Sequence, residues 1–143
     1  MRVRSNSCHD VFICHASEDK EGVVLPIVTT LRAYGVSTWI DCEQLRIGDR
    51  LQPSIDVALA CCRFAAVVFS PIFFDKPWIA YELDRIMYSV INDRQVLLPI
   101  VHRMTGSELL ERAPFMEGKI WRSTADFSIE QLAKEIAHVV RVS

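Results

Sequence analysis

Apolar residues in this chain follow two different periods. Residues 11–14, 36–40, 64–69 and 95–101 are continuous or nearly continuous hydrophobic runs, the pattern of strands covered on both faces. Between them, apolar positions recur at helical spacing: Val24, Ile27, Val28 and Leu31, then Ile55, Ala58, Leu59 and Cys62. Ile79, Leu83, Ile86, Met87 and Val90 form a third stripe, within a helix expected over 78–92. Ile129, Leu132, Ala133, Ile136, Val139 and Val140 form the last. Residues 107–112 read as a short helix, and 119–121 as a short fifth strand. Strand and helix alternate, which predicts a parallel sheet with helices on both faces.

Local signals sharpen the boundaries. Ser17 is expected to cap the helix after the first strand, with Glu18 and Asp19 in its first turn, where the helix dipole favours negative charge. Pro26 is tolerated only near a helix start, so the regular part of that helix is expected to begin late. Gly35 ends it, and Pro53 opens the next helix from its first turn. The 41–50 segment is polar and long enough to be a functional loop, and 70–77 reads as another, with Phe73 and Phe74 expected to be exposed. The fold expected is a flavodoxin-like three-layer α/β sandwich around a central parallel five-stranded sheet. Residues 1–143 are expected to form a single domain, with 1–8 as a loose N-terminal extension.

Composition narrows the class. The chain has 143 residues, half of them hydrophobic, enough for one sizeable core. A formal net charge of −2 gives no basic field for nucleic acid. No apolar run approaches the roughly 20 residues of a membrane span, so no membrane insertion is expected. The basic N-terminus lacks the apolar core of a secretory signal, and a cytoplasmic location is the expectation. The five cysteines agree with reduced thiols: they are odd in number, contain no CxxC pair, and Cys61 and Cys62 are adjacent. His9, His15, His102 and His138 make no zinc spacing with them, so no metal is expected.

Several familiar chemistries are missing. No GxGxxG follows the first strand, and there is no GxxxxGK[ST] phosphate loop. The third strand ends in Ser70–Pro71, without the aspartate that a phospho-acceptor of similar topology needs. Ser17, Ser54 and Ser70 have no nucleophile-elbow context. What remains is a pair of segments. DVFICHASEDK, residues 10–20, is a strand running into a polar loop, where an open α/β sheet binds its ligands. WIAYE places Trp78 and Glu82 on one face of a helix, at i and i+4. An aromatic wall and a carboxylate facing a ligand are the implied site, with a dinucleotide as the strongest candidate.

These residues carry a resemblance that covers nearly the whole chain. DVFICHASEDK, GVSTWIDCEQLRIGDRLQPSIDVALACCRFAAVVFSPIFF, KPWIAYELD and QVLLPIVHRM resemble, in order and spacing, the TIR (Toll/interleukin-1 receptor) domain. The resemblance is closer to bacterial and enzyme-type members than to vertebrate signalling adaptors. Enzyme-type TIR domains hydrolyse NAD+ at the nicotinamide–ribose bond with a glutamate of the third helix, which matches Glu82; the aromatic one turn earlier matches Trp78. The loop at 41–50 matches the BB loop, which gates the site or meets a neighbouring subunit. The family commonly has Ser where this chain has Cys14, a side chain expected to point into the sheet.

The resemblance implies an NAD+ nucleosidase, possessing or lacking cyclase activity, for which NAD+ is the substrate and no cofactor is needed. It also implies roles in immune or cell-death signalling and self-association through TIR–TIR contacts, with an attached or partner sensor domain compatible with it. Glu82 would stabilise the oxocarbenium character of the ribose, as carboxylates do in glycoside hydrolysis. Its alternative is an ion pair with Arg85 on a solvated helix face. Trp78 either stacks on the nicotinamide or ribose, or anchors its helix after Pro77. His15, Ala16 and Ser17 offer small groups and a helix start for the pyrophosphate, with His15 as a lining residue only. Arg46 and Arg50 add positive charge, or are simply solvated; Asp41 orients the loop or contacts ribose. Phe74 and Tyr81 would wall the ring systems, although core packing is the better expectation for at least one phenylalanine of the Phe73–Phe74 pair. The other reading is a non-catalytic TIR–TIR interaction module; a passive nucleotide sensor of the same fold is a third.

Overall fold

The computed structural model describes residues 9–40, 60–76, 79–92 and 94–142, with the backbone alone at 79–82. Its centre is a five-stranded parallel sheet of β1 (Val11–Cys14), β2 (Thr38–Ile40), β3 (Phe64–Phe69), β4 (Val96–Val101) and β5 (Arg122–Ser123), in the order β2-β1-β3-β4-β5. This is the flavodoxin-like order, and its chain reversal falls between β1 and β3. Val11 pairs in register with Thr38 on one side and Phe64 on the other, and Phe64 pairs with Val96. Five helices numbered among the described residues flank it: α1 (Leu25–Ala33), α2 (Pro71–Phe74), α3 (Ile79–Ile91), α4 (Gly106–Arg112) and α5 (Ile129–Val142). Ala60 and Cys61 are also helical; the rest of the helix expected from Pro53, with Ile55, Ala58 and Leu59, lies outside the described residues.

β1, β2 and β3 are buried along their whole length, on both faces, since successive side chains point to opposite sides, whereas β4 is buried only at its end and β5 is half-buried. Phe12 and Cys14 of β1 and Ala65, Val67 and Phe69 of β3 join one apolar layer with Leu83 and Ile86 of α3. Val11, Ile13, Phe64, Ala66 and Val68 join the other, with Ile27, Val28 and Leu31 of α1 and Leu132, Ala133 and Ile136 of α5. Cys14, expected to point into the sheet, is buried in the first of these layers, as is Cys62.

The start of α1 is as late as Pro26 suggested. A 3₁₀ turn (Ser17–Asp19) and a π turn (Lys20–Val24) precede it, and the proline stands in its first turn. Gly35, at φ 82°, closes the helix, with its N–H donating to the Arg32 carbonyl at 3.0 Å. α4 and α5 begin with reciprocal caps. Thr105 Oγ1 accepts from the Glu108 N–H at 3.1 Å and Ser128 Oγ from the Gln131 N–H at 3.1 Å, while each partner side chain reaches back.

Four expectations need correcting. The second strand starts at Thr38, because the Val36 N–H is taken by the Leu31 carbonyl and Ser37 by the Asp10 carboxylate. The fifth strand is Arg122–Ser123 and not 119–121. Gly118, at φ 84°, turns the chain, Ile120 stays 76% exposed, and the Trp121 ring lies over Gly106. Arg122 instead enters the sheet, held by a two-pronged contact with Glu135 of α5 at 2.9 and 3.1 Å. The segment from Ser70 is not wholly loop, since 71–74 is helical, with Phe73 fully buried and Phe74 half-buried. Ser17 does not cap by its side chain; the cap position is Ala16, and the Ser17 hydroxyl donates to Glu18 Oε1 at 3.2 Å.

Candidate functional site at the C-terminal edge of the sheet

Parallel strands deliver their following loops to one edge, and here that edge gathers the chemistry. β1 is followed by His15 and Ala16, both buried, and Ser17, exposed. The His15 ring is 4% exposed, with Nδ1 3.2 Å from the Ile13 carbonyl oxygen, so its imidazole belongs to the wall of the strand end. Ala16 presents backbone and no reach, and the first polar side chains facing outward are those of Ser17 and Glu18.

β3 ends at Phe69, and Ser70 turns the chain into α2. Its hydroxyl oxygen accepts from the Phe73 N–H at 3.2 Å, while Pro71 supplies a pre-set first helical residue. The same hydroxyl donates to Asp19 Oδ2 at 2.5 Å. Both residues are buried, Ser70 at 1% exposure and Asp19 at 8%, and their bond crosses the β1–β3 reversal point. Sequence reading placed Asp19 only in a helix's first turn and missed this pairing. The Ser–Pro pair was the available signal, since Ser before Pro is a helix start; its partner 51 residues away carries no local mark.

β4 ends at His102. Its N–H donates to the Phe69 carbonyl at 2.8 Å, and its Nδ1 lies 2.7 Å from Thr124 Oγ1, beyond β5. Burial pushes the imidazole pKa below the usual histidine value, with the Asp19 charge opposing that and Arg103 adding to it.

Phe74 is held by its neighbours. It stacks on Phe69 at 5.8 Å and 18°, meets Phe73 edge-on at 5.4 Å, and has the Arg112 guanidinium carbon 5.1 Å from its centroid. Arg112 in turn pairs with Asp75 at 3.4 Å. The residue expected to wall a ligand is therefore part of an aromatic cluster first. α3 follows, and its first turns contain Tyr81 and Glu82. Their side chains, together with Trp78, Asp41, Arg46 and Arg50, lie outside the described residues, as does the 41–50 loop. Of the site expected from sequence, the described residues place His15, Ala16 and Ser17 directly after β1, Phe74 at the end of α2, and Glu82 in the helix that follows. An apolar groove beside Leu97, Leu98 and Pro99 of β4, roofed by Leu132, Ile136 and Val139 of α5, lies on the opposite layer and holds none of these groups.

Comparison with known proteins agrees with this architecture. A family model described as TIR domain matches residues 11–136. The chain is 39% identical over 132 residues to the 2′ cyclic ADP-D-ribose synthase AbTIR of Acinetobacter baumannii, covering 92% of this chain and 49% of that protein. It is 34% identical over 140 residues to the NAD(+) hydrolase TcpC of Escherichia coli, covering 97% and 46%. The chain thus spans about half the length of these relatives. Among solved structures, the TIR domain of the Toll-related receptor TRR-2 from Hydra magnipapillata superposes with a TM-score of 0.75 at 22% identity, covering 93% of this chain and 98% of that one. The TIR heterodimer of RPS4 and RRS1 gives 0.66 at 15% identity, covering 93% and 96%, and both likenesses concern the fold. With a matched family model over most of its length and the sheet order to go with it, the chain belongs to the TIR domain family.

Proposed function

We propose that this TIR domain cleaves NAD+ between nicotinamide and ribose, with Glu82 as the catalytic carboxylate. The observation that carries the reading is that Glu82 lies in the first turns of α3, the helix that follows β3 and α2 in a sheet whose chain reversal falls between β1 and β3. The names of the bacterial relatives, NAD(+) hydrolase and 2′ cyclic ADP-D-ribose synthase, support it.

The chemistry asks little of a protein beyond placement and charge. As the C1′–N bond breaks, its electron pair leaves with nicotinamide, which departs neutral from a pyridinium, and positive charge develops on the ribose. A fixed carboxylate stabilises that charge, and the partly water-excluded strand edge strengthens its field. Water then attacks C1′ and loses a proton to solvent, giving ADP-ribose; a hydroxyl of the same molecule attacking instead gives a cyclic isomer. Trp78 and Tyr81 are proposed to flank the ring systems, and Phe74 to contribute what its cluster leaves accessible. Backbone N–H groups at His15, Ala16 and Ser17, with Arg46 and Arg50, are proposed to hold the pyrophosphate, and Asp41 the ribose.

The setting proposed is cytoplasmic signalling in immunity or cell death, with copies of the domain associating through the 41–50 loop and an attached sensor domain as regulator. Among the described residues no helix is long and apolar enough to cross a membrane. A purely associative TIR module is the second reading, favoured by the paired TIR domains of RPS4 and RRS1 among the fold's neighbours.

Nicotinamide release from NAD+ by concentrated protein, beside a folded Glu82→Ala variant, tests this directly. Release by the parent and a loss of at least about 100-fold in the variant is expected, the scale of removing a group that acts on developing charge. Equal release by both would remove Glu82 from the mechanism. Silence of the assembled parent would leave the associative module.

A further inference from the structure

Two adjacent carboxylates hold the two ends of one short span. Asp19 accepts the Ser70 hydroxyl proton at 2.5 Å, inside the fold. Glu18 Oε2 meets Lys76 Nζ at 2.6 Å, at the surface, with the Lys76 side chain only 23% exposed. Ser70 begins α2 and Lys76 lies just beyond its end, so the 3₁₀ turn after β1 grips the whole connection that leaves β3. Glu82 is six positions after Lys76.

The arrangement has a directional logic. A hydroxyl that donates to a carboxylate becomes a better acceptor, so the Asp19 bond strengthens the cap that Ser70 makes to the Phe73 N–H. That cap fixes where α2 begins, and the aromatic cluster of Phe69, Phe73 and Phe74 fixes how it lies on the sheet. The Lys76 ammonium holds the Glu18 carboxyl below its ordinary range, so the second grip persists at pH values where a solvated glutamate begins to take up its proton. A carboxylate buried across the reversal point needs a reason to be there, since taking it out of water is costly without a donor in place.

We infer that Glu18 and Asp19 are positioning residues of the site: through Lys76 and Ser70 they set the 70–76 connection, and with it the start of the helix that bears Glu82. The inference rests on the NAD+-cleaving reading for what Glu82 does, whereas the clamp itself rests on the bonds just described. Neither residue touches the reacting atoms in this scheme. Their contribution lies in the aim of another carboxylate, and displacements of about an ångström there can cost up to about 100-fold in rate.

The experiment pairs steady-state nicotinamide release with amide hydrogen exchange in the parent, Asp19→Ala, Lys76→Glu and the swapped double variant Glu18→Lys/Lys76→Glu. A positioning role predicts that kcat falls about tenfold in each single variant while KM for NAD+ changes less than about threefold. It predicts faster exchange at the Phe73 amide and in the first turns of α3, and recovery of both in the swap relative to Lys76→Glu. Unchanged exchange at these amides would overturn the clamp. Changed exchange with unaltered kcat, or a rise in KM alone, would overturn its link to Glu82. Should Asp19→Ala not fold, Lys76→Glu and the swap, both at the surface, decide the matter. A parent that releases no nicotinamide would sink the NAD+ reading and the catalytic consequence with it, and exchange would still decide the clamp.

Discussion

At the scale of single residues, His102 shows how the strand edge couples charge to stability. Burial lowers its pKa below the ordinary 6.5, so the unfolded chain binds a proton more readily than the folded one. Stability therefore rises with pH across the window between the folded pKa and about 6.5, and is lost as pH falls through that window. Asp19 opposes the shift and Arg103 assists it. In His102→Gln, whose amide can still reach Thr124, the loss of stability below about pH 6.5 should be shallower than in the parent, read from urea midpoints between about pH 5 and 7.5. Identical pH dependence in the two proteins would show that the burial of His102 does not govern the acid limb. The same residue was legible in sequence only as one of four scattered histidines, because its significance comes from Asp19 and Thr124, 83 and 22 positions away (102 − 19 and 124 − 102).

At the scale of elements, boundaries follow from backbone bonds that local sequence states only in part. Gly35 was legible as the end of α1 because a left-handed residue is what stops a helix cleanly, and its φ of 82° bears that out. Nothing lies within 4 Å of a Cβ added there, so the cost of Gly35→Ala is conformational alone. A loss of roughly 1–2 kcal/mol is expected in chemical denaturation, and an unchanged midpoint would mean the turn can relax. β5 was misplaced for the converse reason. Ile120 looks like a strand residue, yet the Arg122–Glu135 pair and the Trp121–Gly106 contact decide the register, and both depend on elements distant in sequence. The four-residue helix α2 escaped notice because its stability comes from a buried cap and from Phe73 in the core, not from length.

At the scale of the molecule, the two apolar layers make the sheet one cooperative unit, and ligand binding at its edge should register in global unfolding. The alternation of strands and helices was enough to read the parallel sheet and the order of its layers, since β1, β3 and β4 are apolar throughout and the long helices are apolar on one side. The candidate site was legible as far as its motif residues, whereas the buried link that joins β1 to β3 had no motif. This bears on the choice between an enzyme and an associative module. Anything that binds the native state and not the unfolded one stabilises by mass action, about 2.7 kcal/mol when the free ligand stands at 100 times its Kd. For a chain of this length each kcal/mol corresponds to about 2–4 °C in Tm. Glu82→Gln keeps the shape of the carboxylate while removing its charge, so NAD+ should persist intact in the sample. Titrating NAD+ into that variant is therefore expected to raise Tm progressively, by roughly 5–10 °C near 100 times Kd. A Tm that stays flat to millimolar NAD+, in the variant and the parent alike, would mean that the strand edge recognises no dinucleotide and that association is the domain's work.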